Sequence, residues 1–361
     1  MGELRLMKGN EALAEAAIRA GCDGYFGYPI TPQSEVIEYL MAEKPMERTG
    51  MVVLQAESEI ASINMLYGGG GTGKKVMTSS SSPGISLMQE GISYMAGAEI
   101  PCVIANVVRG GPGLGDIQPA QSDYFQAVKG GGHGDYRIPV LAPASVQEMS
   151  DFVPLSYELA FKYRTPVLII SDGLIGQMME KVELFEHMPR LTDEEIRERY
   201  PWATNGKPAG EERRILTSLY LDPHILEKHN LHLQEKYSKI IANEVRYELI
   251  DCEDAEYMIV AYGSSSRIAQ KSIQLARKEG IKVGLLRLIT LWPFPEKPID
   301  ELVEKGVKGF LSVEMSAGQL VEDVRLVVRE RRKVEHFGRY GGVIHSPEEV
   351  LEALKSKIIG G

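Results

Sequence analysis

Cysteine is scarce and scattered: Cys22, Cys102 and Cys252 are the whole supply, and no two stand close enough in sequence to form a CxxC pair. That excludes a disulfide framework and a clustered cysteine site for zinc or an iron–sulfur cluster, so any electron carrier must reside on another chain. Excess positive charge is also lacking. With 40 Lys and Arg against 50 Asp and Glu, the formal net charge is -10, which argues against nucleic acid as a partner. No apolar run reaches membrane-spanning length, and the opening MGELRLMKGNEALAEA has no signal-peptide core. Its sixth residue is Leu where a myristoylation motif needs Ser or Thr. The expectation is a cytoplasmic protein with no membrane contact. The sequence also lacks internal repeats, low-complexity tracts, a GxSxG elbow and an HExxH pair. His224, His229 and His232 lie in a charged helical stretch without carboxylate or cysteine company, so they read as a solvated face and no metal site is expected.

What is present is ordinary globular composition, 43% hydrophobic and 25% charged, in 361 residues, a length that favours two domains. From residue 1 to about 185, the apolar runs YFGYP, MVVLQ, VMTSS, CVIANVV and PVLIIS alternate with segments of helical periodicity. Asn10 can cap the first helix and Gly21 can end it. Strand and helix in this rhythm predict a doubly wound, mostly parallel α/β sheet, with functional residues in loops beyond the strand carboxyl ends. Residues 186–250 read as a charged connector containing a long helix. Residues 251–361 read as a second, smaller α/β domain with strands YMIVAYG, KVGLLRLI and GFLSVEM.

The stretch LYGGGGTGKKVMTSSSS places Gly68, Gly73 and Lys74 at GxxxxGK spacing. A phosphate-cradling loop needs a strand before its glycines and a helix after. Here Ile60, Ile63 and Tyr67 follow helical spacing before the glycines, and Lys75 to Ser80 reads as a strand after them. Lys75 also stands where a magnesium-binding hydroxyl is required. The glycines therefore read as a turn, and a nucleotide site is not expected. Ser82-Pro83 resembles a cap followed by Pro at the first helical position, and the hydroxyl run before it ends at the open edge of the sheet.

Three further segments converge on that edge. In FGYPITPQSE, Pro29 ends a strand and Thr31-Pro32 begins a helix, where Thr31 serves as an N-cap or as a site residue. In QAESEIASIN, Glu59 enters an apolar helix as a desolvated carboxyl able to hold or exchange a proton, with Glu57 as a surface alternative. In NVVRGGPGLGD, Arg109 follows a strand and precedes glycines, placing a guanidinium where it can pair with a carboxylate or phosphate, unless it is an ordinary surface arginine.

Together, GYPITPQSE, QAESEIASIN, TSSSSPGISLMQEG, NVVRGGPGLGD and LLRLITLWPFP resemble the α subunit of 2-oxoacid:ferredoxin oxidoreductases over nearly the whole chain. The resemblance is nearest to the branched-chain 3-methyl-2-oxobutanoate enzymes, with the 2-oxoglutarate enzymes next. It implies a pyrimidine-binding domain of the thiamine diphosphate fold at residues 1–185 and a transketolase C-terminal-like domain at 251–361. It implies thiamine diphosphate shared with a β subunit that holds magnesium and the diphosphate. The chain has no Gly-Asp-Gly motif with a downstream Asn, and Ser171-Asp172-Gly173 is the nearest string. By motif, Glu59 is the carboxyl that hydrogen-bonds the aminopyrimidine and favours the tautomer able to take the reactive proton. Thr31 and Arg109 hold the substrate carboxylate until it leaves as CO₂. Tyr28, Pro29, Ser80, Ser81 and Ser82 line the pyrimidine side. Implied partners are the β subunit, small γ and ferredoxin-like δ subunits carrying iron–sulfur clusters, ferredoxin, coenzyme A and a second α chain. Oxidation of 2-oxoglutarate or pyruvate, and a non-catalytic scaffold role in the same complex, stay open at this point.

Overall fold

The computed structural model describes residues 3–360. Its larger sheet has seven strands in the spatial order Thr290–Trp292, Val140–Leu141, Pro166–Asp172, Cys102–Val108, Val76–Ser80, Gly24–Gly27 and Val52–Gln55. All pairings are parallel except that of Thr290–Trp292, which runs antiparallel to Val140–Leu141. Every residue of Cys102–Val108 and Pro166–Asp172 is buried, as expected for β-branched runs covered on both faces. One face carries the helices Gly9–Arg19, Ser34–Glu43 and Val146–Tyr163, whose apolar side chains form one core with Tyr25 and Met77. The other carries Glu59–Gly71 and Ser82–Gly97, packed against each other.

The smaller sheet runs Lys333–Gly338, Gly309–Glu314, Tyr257–Tyr262, Val283–Leu288 and Tyr247–Ile250, parallel except for the last. The helix Pro223–Asn243, capped by the Asp222 carboxylate accepting from the His224 N–H, links the two layers. Leu233, Tyr237 and Ile240 on that helix continue the apolar core from Ile85 and Met88 into Val260 and Leu288. Its histidines contact protein as well as solvent: His229 Nε2 lies 2.6 Å from the Gly97 carbonyl and His232 Nε2 3.1 Å from Glu99.

Several local expectations need correction. Asn10 does not cap the first helix, because that helix starts at Gly9 and Asn10 instead donates to Pro32 O at 2.8 Å and Glu35 at 3.0 Å. The strand before Pro29 ends at Gly27. Thr31 does not cap a helix: the next one begins at Ser34 with Gln33 at the cap position. The cap before Pro83 is Ser81, with Ser82 already helical. Gly68 to Gly71 are not a turn but the last helical residues of Glu59–Gly71, and Lys74 forms an ion pair with Asp193 at 2.7 Å. Glycine costs helix stability, but a Cβ at Gly70 would lie 2.7 Å from Ile100 and from Pro101 O, so close packing demands its absence.

Candidate active site

The carboxyl ends of the central strands meet in a small polar region. Glu59 is the first residue of its helix and is buried, while Glu57 is exposed. Ser58 accounts for this placement: its extended backbone and its hydroxyl, which accepts the Ala61 N–H at 3.2 Å, start the helix so that Glu59 turns inward. The Val76–Ser80 strand delivers Ser80, and the following helix brings Gly84 over it. A Cβ at Gly84 would lie 2.1 Å from Ser80 Oγ and 2.8 Å from Glu59 Oε1. Glycine therefore lets the carboxyl and hydroxyl crowd one spot. Among the described residues no side chain or backbone group hydrogen-bonds the buried Ser80 or Ser81 hydroxyls. Buried hydroxyls are ordinarily satisfied, so Ser80 beside Glu59 leaves a hydrogen-bonding group open on this face of the sheet, while Ser81, the next residue on extended backbone, points to the other face.

Arg109 lies one residue beyond the Cys102–Val108 strand and is also buried. Its Nη1 donates to Thr31 O at 2.9 Å and its Nη2 to Leu114 O at 3.3 Å, while the buried Nε–H has no protein acceptor. Its backbone N–H donates to Ser82 Oγ at 3.1 Å. The structure thus brings Thr31, Ser82 and Arg109 together, with Thr31 exposed at the rim. Tyr28 and Pro29 are half-buried in the same loop as Thr31.

Three polar side chains that motif reading passed over organise this edge. Gln33, fully buried, donates to Tyr28 O at 3.1 Å and accepts from Ser79 Oγ at 2.7 Å. Asn106, a polar residue inside an apolar strand, accepts the Ser82 N–H at 3.1 Å and donates to Asp123 at 2.9 Å. Burial pushes the Asp123 carboxyl above the usual carboxylate range, against the hydrogen bonds from Asn106 and Ser82. The interruption of CVIANVV by Asn was the available signal for Asn106. Nothing comparable marked Gln33.

Asp172, at the end of the neighbouring strand, accepts the N–H groups of Leu174 and Ile175 and the Ser264 hydroxyl at 2.7 Å. Its oxygens serve the junction with the smaller sheet. At the start of the helix Gly263–Lys278, the Ser264 and Ser265 hydroxyls bond across to Asp172 and Gln121. Among the described residues no three His, Cys, Asp or Glu side chains converge to hold a metal ion. None of the described helices is long and apolar enough to cross a membrane.

Residues 15–247 match the family model of the pyruvate flavodoxin/ferredoxin oxidoreductase thiamine diphosphate-binding domain, and residues 255–350 match pyruvate:ferredoxin oxidoreductase core domain II. The chain belongs to the 2-oxoacid:ferredoxin oxidoreductase family. It is 50% identical to the ketoisovalerate oxidoreductase subunit VorB of Methanothermobacter thermautotrophicus, covering 97% of each chain. It is 36% identical to the 2-oxoglutarate synthase subunit KorA of Methanocaldococcus jannaschii, over 98% of this chain and 99% of that one. A solved 2-oxoglutarate:ferredoxin oxidoreductase from Magnetococcus marinus superposes with a TM-score of 0.85 at 28% identity, covering 99% of this chain and 66% of that one. The protein is an oxidoreductase subunit with the family's thiamine diphosphate-binding α/β fold, and a family named for subunits implies partner chains.

Proposed function

We propose that this α subunit supplies the aminopyrimidine half of a thiamine diphosphate site that a β subunit completes. The complex then oxidises 3-methyl-2-oxobutanoate to its acyl-CoA and CO₂ while reducing ferredoxin. The observation that supports this most is the meeting of the buried Glu59 carboxyl and the unpartnered Ser80 hydroxyl at Gly84. That donor and acceptor set fits the edge of an aminopyrimidine. When bound, the cofactor supplies the electron sink that a 2-oxoacid needs in order to lose CO₂.

The chain's own residues have separable tasks. Glu59 accepts a hydrogen bond at a carboxylate oxygen and so fixes where the pyrimidine proton resides. Arg109 offers its free Nε–H to the substrate carboxylate, while Thr31 O keeps the guanidinium turned toward the rim. The buried strand ends keep bulk water from these charges, which strengthens each contact. Asp172 is already engaged by Leu174, Ile175 and Ser264, which supports assigning magnesium and the diphosphate to the β subunit. Iron–sulfur clusters are assigned to the partner subunits, and the compartment is the cytoplasm.

The branched-chain substrate follows from the 50% identity with a ketoisovalerate subunit, against 36% for a 2-oxoglutarate one. The test is a 2-oxoacid panel on the complex co-purified with its partner subunits, read by viologen reduction with coenzyme A. The proposal expects the highest kcat/KM for 3-methyl-2-oxobutanoate and no turnover by the isolated chain. A preference for 2-oxoglutarate or pyruvate would overturn the substrate assignment, and full activity of the isolated chain would overturn the shared site.

A further inference from the structure

The loop that begins at Arg109 closes on itself. Arg109 forms an antiparallel bridge with Pro119, the Gly110 N–H donates to Gln118 O at 2.9 Å, and the Asp116 N–H donates to Gly110 O at 3.1 Å. Most of its tip is exposed, so the loop has little packing of its own to hold it.

Two residues past Pro119 stands Gln121, buried, with every polar group bonded to the smaller domain. Its backbone N–H donates to Met315 O at 2.9 Å, and its carbonyl accepts from the Tyr262 hydroxyl at 3.1 Å. Its side-chain Nε2 donates to Tyr262 O at 3.0 Å, and its Oε1 accepts from Ser265 Oγ at 2.7 Å and from the Met315 N–H at 3.0 Å. The smaller domain touches the loop a second time. A Cβ at Gly342 would lie 2.4 Å from the Gln118 side chain and 2.9 Å from both Asp116 carboxylate oxygens.

We propose that Gln121 is a positioning residue for the substrate: it fixes the Arg109 loop to the smaller domain and so sets where the guanidinium stands. The inference rests on the reading of Arg109 as the substrate-carboxylate contact. A buried amide held at both its nitrogen and its oxygen has one low-energy orientation, and losing it leaves buried donors and acceptors unpaired. Displacement of that anchor reaches Arg109 through the Pro119 bridge. A shift of about 1 Å at a positioning group is enough to cost one to two orders of magnitude. This gives the second domain a part in substrate binding although it contributes no side chain to the polar edge described above.

The experiment uses the complex with its partner subunits and three variants, Gln121→Met, Ser265→Ala and Arg109→Lys. Steady-state kinetics give kcat, the KM for the 2-oxoacid and the KM for coenzyme A. Hydrogen exchange gives the protection of the Gly110 and Asp116 amides. Gln121→Met is expected to raise the 2-oxoacid KM about tenfold with the coenzyme A KM unchanged, and to speed exchange at both amides. Ser265→Ala, which removes one of five bonds and keeps the fold, is expected to raise that KM about threefold. If Arg109→Lys raises the 2-oxoacid KM while Gln121→Met and Ser265→Ala leave it unchanged, the positioning role is overturned, whatever the exchange shows. A fall in kcat with both KM values unchanged overturns it as well, since that is the mark of a smaller folded fraction. If Gln121→Met does not assemble, Ser265→Ala decides. An unchanged 2-oxoacid KM in Arg109→Lys sinks the reading of Arg109 itself, and the inference with it.

Discussion

The Glu59 carboxyl and the Ser80 hydroxyl meet at the bare Cα of Gly84, where a Cβ would stand 2.8 Å from the one and 2.1 Å from the other. Both distances are below any ordinary carbon contact, so a side chain at residue 84 forces one of these two groups to move. Gly84→Ala should therefore displace Glu59 or Ser80 and reduce 2-oxoacid turnover by about a hundredfold. Overall stability should fall by no more than a few kcal/mol, the usual cost of overpacking one methyl group. Turnover assays beside urea unfolding of the same preparation separate the two effects.

Arg109 keeps one buried Nε–H without a protein acceptor. If that hydrogen serves the substrate carboxylate, Arg109→Ala should raise the KM for the 2-oxoacid by about a hundredfold, the scale of a lost charge-assisted hydrogen bond. The KM for coenzyme A should not move. Equal changes in both constants would point to a disturbed edge and not to a lost contact.

Away from the site, Glu15 is buried between arginines. Its Oε1 accepts from Arg19 Nε at 2.8 Å and Arg48 Nη2 at 2.7 Å, and its Oε2 from Arg48 Nη1 at 2.9 Å. Burial works against ionisation there, but Arg48 and Arg19 hold the carboxyl below its ordinary range. Glu15→Gln leaves the buried Arg19 and the half-buried Arg48 short of a counter-charge and should cost about 3 kcal/mol in urea unfolding. A loss under about 0.5 kcal/mol would show that the remaining partners Glu3 and Glu43 suffice.

His345 links acidity to stability. Burial pushes its imidazole down to about 4 from an ordinary 6.5, and neither ring nitrogen has a hydrogen-bond partner among the described residues. Between those values the unfolded chain takes a proton that the folded one refuses. Stability is therefore lost as pH falls from 6.5 to 4, by on the order of 3 kcal/mol from this group. His345→Gln should flatten that part of the stability curve. An unchanged slope in urea midpoints over the same window would contradict the assignment.

Much of this was legible in the residues. The apolar runs of Cys102–Val108 and Pro166–Asp172 specify fully covered parallel strands, and the Ser-Glu step before Ile60 specifies a helix that turns Glu59 inward. What was hidden depends on partners distant in sequence. The helix continues through four glycines, and at Gly70 the close approach of Ile100 and Pro101 leaves no room for a side chain, a contact no local propensity reveals. Gln33 and Gln121 look like surface residues until the strands that bury them are in place. Thr290–Trp292 joins the larger sheet although it follows a strand of the smaller one, so neighbours in sequence divide between sheets. Gly84 carries no side chain for a motif to display, and its importance appears only as the space it leaves.

The most direct test of the shared site compares Glu59→Gln with Glu57→Gln in the assembled complex, measuring thiamine diphosphate-dependent decarboxylation of 3-methyl-2-oxobutanoate. Glu59 is buried beside Ser80 and Glu57 is exposed. Glu59→Gln is expected to lower kcat by a factor of about 10² to 10⁴, the range of a lost proton-transfer role, with Glu57→Gln within about twofold of the parent. Equal and mild effects in the two variants would contradict the assignment of the pyrimidine contact to this chain's Glu59.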